Sequence, residues 1–198
     1  MSSEIQSTAL SSLRNASNEE LEHIVKNYRD QRQADIQALM SIVGEQEATL
    51  IKSQKIVTGS KEGFAITLLG DLRATTAAPL LARLITVRSS SFSLFSDGVQ
   101  LHWYAFPAAV ALSKIGLPAV EPLLDRVRTA PPTSTAFHLG AVTLEAILGK
   151  ELAILAAQQY ARDHSDFSQA DRLTALTTLI RTGHKRWTAH SASDFSPE

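Results

Sequence analysis

Cysteine is absent from the 198-residue chain. That absence excludes disulfides, zinc ribbons, iron–sulfur clusters and thiol catalysis together. Aromatic residues are scarce, at 6%, and neither sign of charge dominates: 19 Lys+Arg stand against 20 Asp+Glu, a net of −1. A dedicated nucleic-acid binder is normally basic, so nucleic acid is not expected as a partner. Charge is also even along the chain, with a net of −2 over residues 1–62 and +1 over residues 63–198. No uninterrupted apolar run reaches the roughly 18 residues that mark a membrane span. The densest stretch, from Tyr104 to Ile115, is broken by Pro107, Ser113 and Lys114. The first residues lack a basic start followed by an apolar block, so no signal peptide is expected and the location is expected to be cytoplasmic. An apolar fraction of 44% argues against full-length disorder.

What is abundant is alanine and leucine, 27 and 25 residues against 9 valines. Ala loses no side-chain entropy in a helix and Leu little, whereas β-branched Val is stiff, so the composition predicts an all-α protein. Residues 1–16 read as a loosely held segment with Ile5, Leu10 and Leu13 as docking contacts. Ser17 followed by Glu20 fits a capping box, and Leu21, Ile24, Val25, Tyr28, Ile36, Leu39 and Val43 recur near helical spacing up to a stop at Gly44. Arg32 and Asp35 leave a polar gap in that helix. Residues 45–57 predict a second helix and 58–63 a loop.

From residue 63 the pattern changes to paired short helices: 63–73 with 75–87, 99–115 with 117–128, and 135–148 with 150–162. A last helix spans 169–182. A Ser-rich loop at 88–97 and the Pro131-Pro132 breaker separate the pairs. Residues 183–198 form a polar C-terminal tail. The most specific internal signal is a repeat, in which LLGDLRATTAAPLLARLI at 68–85 aligns with ALSKIGLPAVEPLLDRVR at 111–128. Leu69 falls on Leu112, Leu72 on Ile115, Pro79 on Pro122, Leu80 on Leu123, Leu81 on Leu124 and Arg83 on Arg126. The offset is 43 residues, inside the period of about 40–47 of HEAT-type repeats.

The segment Ala65–Leu84, with LGDLRA followed by PLLARL, resembles the HEAT-like repeat of the phycobilisome-lyase type, over about residues 63–182. The second copy departs from the pattern, since Ser113 and Lys114 replace Gly and Asp and the Arg is absent. The resemblance implies a right-handed α-α superhelix, a short HEAT-like solenoid, with residues 1–62 as an N-terminal helical cap. It also implies structural roles at the first turn, with Asp71 accepting backbone N–H bonds at the next helix start and Arg73 bridging repeats. By the same analogy the second helix of each pair lines the concave face. Arg83 and Thr86 in one repeat, and Glu121, Asp125 and Arg126 in the next, are then the polar candidates for that face.

No sequence signature of nucleophilic or phosphate chemistry occurs: there is no G-x-S-x-G, P-loop or G-x-G-x-x-G. The six His residues are scattered without metal spacing, and His102 and His138 lie among apolar neighbours. No catalytic residue, metal or cofactor is expected. The unusual local feature is His102-Trp103-Tyr104-Phe106, which concentrates three of the chain's 12 aromatics in four residues. Two readings stay open. Trp103 and Phe106 pack between helices with Tyr104 at the edge, or the cluster, together with Phe92 and Phe95 of the preceding loop, anchors a partner. The reading that fits these features best is a non-catalytic protein–protein interaction module or scaffold whose partner is another protein. The resemblance alone suggests a bilin lyase-like or chaperone-like subunit as one alternative. A HEAT-like nucleic-acid enzyme, similar to alkylpurine DNA glycosylases, is another and conflicts with the near-neutral charge. A toxin-neutralising immunity protein is a further member of the binding class.

Overall fold

The computed structural model describes residues 18–90, 103–164 and 170–182. Apart from one two-residue parallel bridge, its regular structure is helical. The expected capping box at Ser17, the N-terminal docking contacts, the loop residues Phe92, Leu94 and Phe95, His102 and the C-terminal tail lie outside the described residues. Helix α1 spans Asn18–Gly44, and the chain divides within it into two units, residues 1–38 and 39–198. In the first unit the polar gap is real surface: residues 29–35 are all exposed. Gln31 Nε2 donates to Asp35 Oδ1 at 3.0 Å, one turn along the helix.

In the second unit the expected helix over 45–57 is corrected. Helix α2 covers only Glu47–Ser53 and ends where Gln54 turns left-handed at φ 49°. The next two residues, Lys55–Ile56 (β1), pair in parallel with Arg88–Ser89 (β2). Arg88 N donates to Gln54 O at 3.1 Å and Ser90 N to Ile56 O at 2.8 Å. Ile56 is buried by this arrangement. A strand partner 33 positions away overrides a weak local preference for helix.

Helix α3 (Lys61–Asp71) starts two residues earlier than the repeat pattern indicates, because Ser60 Oγ accepts the Gly63 N–H and caps it. A 3-10 turn at Thr75–Ala77 leads into α4 (Ala78–Arg83). Helix α5 spans Pro107–Ile115, a later start than the expected helix over 99–115, whose residues 99–102 lie outside the described residues. A 3-10 turn at Trp103–Ala105 precedes it, and Pro107 opens it. Pro has no N–H to lose at the first helical position, and it pushes the residue before it out of the helical region, so it starts a helix rather than interrupting one. Phe106 accordingly sits at φ −112°, ψ 91°. After Gly116 a 3-10 turn at Leu117–Ala119 leads into α6 (Val120–Thr129). Helices α7 (Thr135–Leu148), α8 (Lys150–Asp163) and α9 (Ala170–Thr182) follow, α7 capped by Ser134.

Helices two apart in sequence touch: α3 packs on α5, α5 on α7, α7 on α9, and α4 on α6. The paired positions of the repeat supply the seam, since Leu69, Leu112, Leu80, Leu123, Leu81 and Leu124 are all buried. The turns correspond as well. Arg73 at φ 49° and Gly116 at φ 80° are 43 residues apart and both have positive φ. Asp71 and Lys114 also differ by 43, and they bond to each other, Nζ to Oδ1 at 2.6 Å. The roles that the resemblance implied for this turn therefore change. The partner shown for Asp71 is the equivalent residue of the next pair, and Arg73 is a turn residue standing where the second copy has glycine.

The approach of α3 to α5 leaves no room for a side chain at Gly70, where a Cβ would lie 2.7 Å from Ala111 Cα. Gly70→Val is expected to lower the unfolding free energy by about 1–3 kcal/mol, because backbone atoms rather than a flexible side chain must move. Urea denaturation checks this; a midpoint equal to wild type would contradict the close contact.

Candidate functional site

The spacing of α6 separates two faces. Leu123, Leu124 and Val127 are buried, while Glu121, Asp125 and Thr129, at intervals of four, are exposed. Beside this exposed face lies α4, and between the two helices runs a cleft of about 570 Å³. Pro79, Ala82 and Arg83 line it from α4; Glu121, Pro122, Asp125, Arg126, Arg128 and Thr129 line it from α6. Pro79 and Pro122 hold matching places in the first turns of the two helices, and the small Ala82 leaves the space open.

Four of the sequence-derived candidates, Arg83, Glu121, Asp125 and Arg126, meet in this cleft. Thr86, beyond the end of α4, does not line it. Trp103 and Tyr104 lie elsewhere, in the turn before α5. Trp103 Nε1 donates to Thr143 Oγ1 at 3.3 Å, and the fully buried Thr143 hydroxyl in turn donates a hydrogen bond to Leu139 O at 2.7 Å. Phe106 is buried, whereas Tyr104 is 69% exposed and meets the Trp103 ring edge-on. Sequence reasoning missed Arg128 and Thr129 as lining residues, although the four-residue steps from Glu121 and Asp125 point to Thr129. It also missed exposed Phe64 and Leu68, one turn apart on α3.

The charges of the cleft are braced from behind. Arg83 grips Glu47 of α2 in a two-point bond, Nε to Oε1 at 2.5 Å and Nη2 to Oε2 at 3.1 Å. This bond holds the Glu47 carboxyl below its ordinary value of 4.5 and raises Arg83. Asp125 Oδ1 accepts from Tyr160 Oη of α8 and lies 3.6 Å from Arg128 Nη2. Arg172 of α9 donates to the Arg128 carbonyl oxygen. His164 stacks on the Tyr160 ring with centroids 4.0 Å apart. Arg126 differs from the other two arginines in making no ion pair with a described residue. Its Nε is buried without a hydrogen-bond partner there.

Among the residues that line the cleft, no hydroxyl donates to a carboxylate or an imidazole. The Thr129 hydroxyl is already committed to the carbonyl oxygens of Asp125 and Arg126. Among the described residues no group of three His, Asp or Glu side chains is arranged to hold a metal, and no helix is long and apolar enough to cross a membrane.

Tyr160 carries a direct test. Burial, and then the bond to the Asp125 carboxylate, push its phenol up to about 12 from 10.0. A folded-state value above the unfolded one means that the bond contributes fully below pH 10 and is lost as pH rises toward 12. Ultraviolet titration should show one of the three tyrosines ionising near pH 12, and Tyr160→Phe should remove that late step. Ionisation of every tyrosine near pH 10 would contradict the bond.

No family model matches the chain, and no curated protein or solved structure matches it.

Proposed function

We propose that the chain is a short HEAT-like solenoid of the right-handed α-α type that recognises another protein in the cleft between α4 and α6, without doing chemistry on it. Residues 1–62 act as its helical cap, and its setting is the cytoplasm, where it serves as a scaffold. Three features support the solenoid reading. The repeat has a 43-residue period; helices pack on their second neighbours; and the turns at Arg73 and Gly116 correspond.

One observation carries the functional reading: the equivalent pairs Pro79/Pro122 and Arg83/Arg126 converge on a single cleft with charges of both signs around an apolar floor. An apolar centre with a polar margin and arginine anchors is the anatomy of a protein-recognition patch. Phosphate backbones need several cations free of acidic neighbours, whereas here Glu121 and Asp125 share the surface.

The test is affinity capture from the native lysate with wild type and with the Arg83→Glu/Arg126→Glu variant. The account predicts a protein retained by wild type and depleted about tenfold or more by the variant, with helical circular dichroism unchanged. Equal capture by both proteins would place the interface elsewhere. Retention of the wild type on heparin at low salt, abolished by the same variant, would replace a protein partner with a nucleic acid.

A further inference from the structure

Resting on the reading of the cleft as a peptide-binding surface, we infer that its occupant is a protein segment that sets an acidic side chain on Arg126 and a basic one on Glu121. Two arginines of the cleft are already answered within the protein. Arg83 is held by Glu47 and Arg128 lies beside Asp125, itself bonded by Tyr160. Arg126 and Glu121 line the same cleft with no ion pair to any described residue.

Arg126 brings a guanidinium to the cleft. Its Nε is enclosed by protein. The stem is therefore held where the residue lines the cleft. A cation fixed in this way loses little freedom when a carboxylate docks on it, which favours a planar, two-point acceptor.

Glu121 adds direction. It lies five residues before Arg126 on α6, about 7.5 Å along the axis and about 140° around it, yet both line the cleft. An occupant that answers both charges therefore carries an acidic and a basic side chain. A polyanion fits poorly, since Glu121 and Asp125 would repel its successive charges.

A library of random 12-residue peptides displayed on phage, panned on the intact chain, tests this. The expected result is enrichment of peptides that carry both an acidic and a basic residue. Their binding should weaken by about 10-fold or more in Arg126→Gln. The swapped variant Glu121→Arg/Arg126→Glu should regain binding to the peptide whose acidic and basic residues are exchanged, which no misfolded protein would do. Thr129→Trp, a large ring on an exposed site lining the cleft, should exclude both peptides. Peptides that Thr129→Trp excludes but that lack an acidic residue, or ignore Arg126→Gln, would overturn this inference and leave the cleft as a peptide site. Panning that yields no peptide sensitive to Thr129→Trp would overturn the cleft reading as well.

Discussion

The contact between α3 and α5 at Gly70 and Ala111 is the constraint on which the second unit depends. Backbone meets backbone there, with no side chain at position 70 to adjust. Once those two helices lie that close, Leu69 and Leu112 are sealed in the seam, and the turns after each helix are carried to matching places. The second helices, α4 and α6, are then delivered side by side. The cleft is the space left between them, because their first turns bring proline and Ala82 rather than bulky groups to the same edge.

Magnitudes say which interactions enforce this arrangement. Burying one leucine side chain is worth about 1.5–3 kcal/mol, and six leucines of the repeat are buried. An exposed ion pair such as Asp71–Lys114, with side chains 50% and 43% exposed, belongs to a class worth about 0–1 kcal/mol. The ion pair therefore marks the register, while apolar burial imposes it. The same distinction separates the arginines of the cleft. Pairing with Glu47 orders Arg83 without adding much stability, and Arg126 is left as a charge that folding does not use.

Legibility in the sequence follows from how local the cause is. Helix α7 occupies 135–148 as its pattern indicates, because Ser134 caps it and Gly149 ends it within a few residues. The four charged candidates of the cleft were readable, since the repeat alignment fixes which helix each belongs to. The break after Ser53 was not, because the partner that draws Lys55 and Ile56 into a bridge lies 33 residues on. Nor was the left-handed Arg73, whose conformation becomes intelligible only beside Gly116 in the other copy. The brace of Asp125 by Tyr160 spans 35 residues and two helices, and nothing near either residue announces it. Trp103 could be read as anchor or as packing, and its bond to buried Thr143 ties it to the interior.

A 43-residue register stacks the two helix pairs and so forms the cleft. Zero-length carbodiimide coupling of the native chain, followed by peptide mass spectrometry, tests it most directly. An amine and a carboxylate must be in contact to be joined, and Lys114 Nζ lies 2.6 Å from Asp71 Oδ1. The account predicts an Asp71–Lys114 amide that disappears when the chain is denatured before coupling. Lys114 joined to other carboxylates and never to Asp71 would contradict the register and, with it, the cleft.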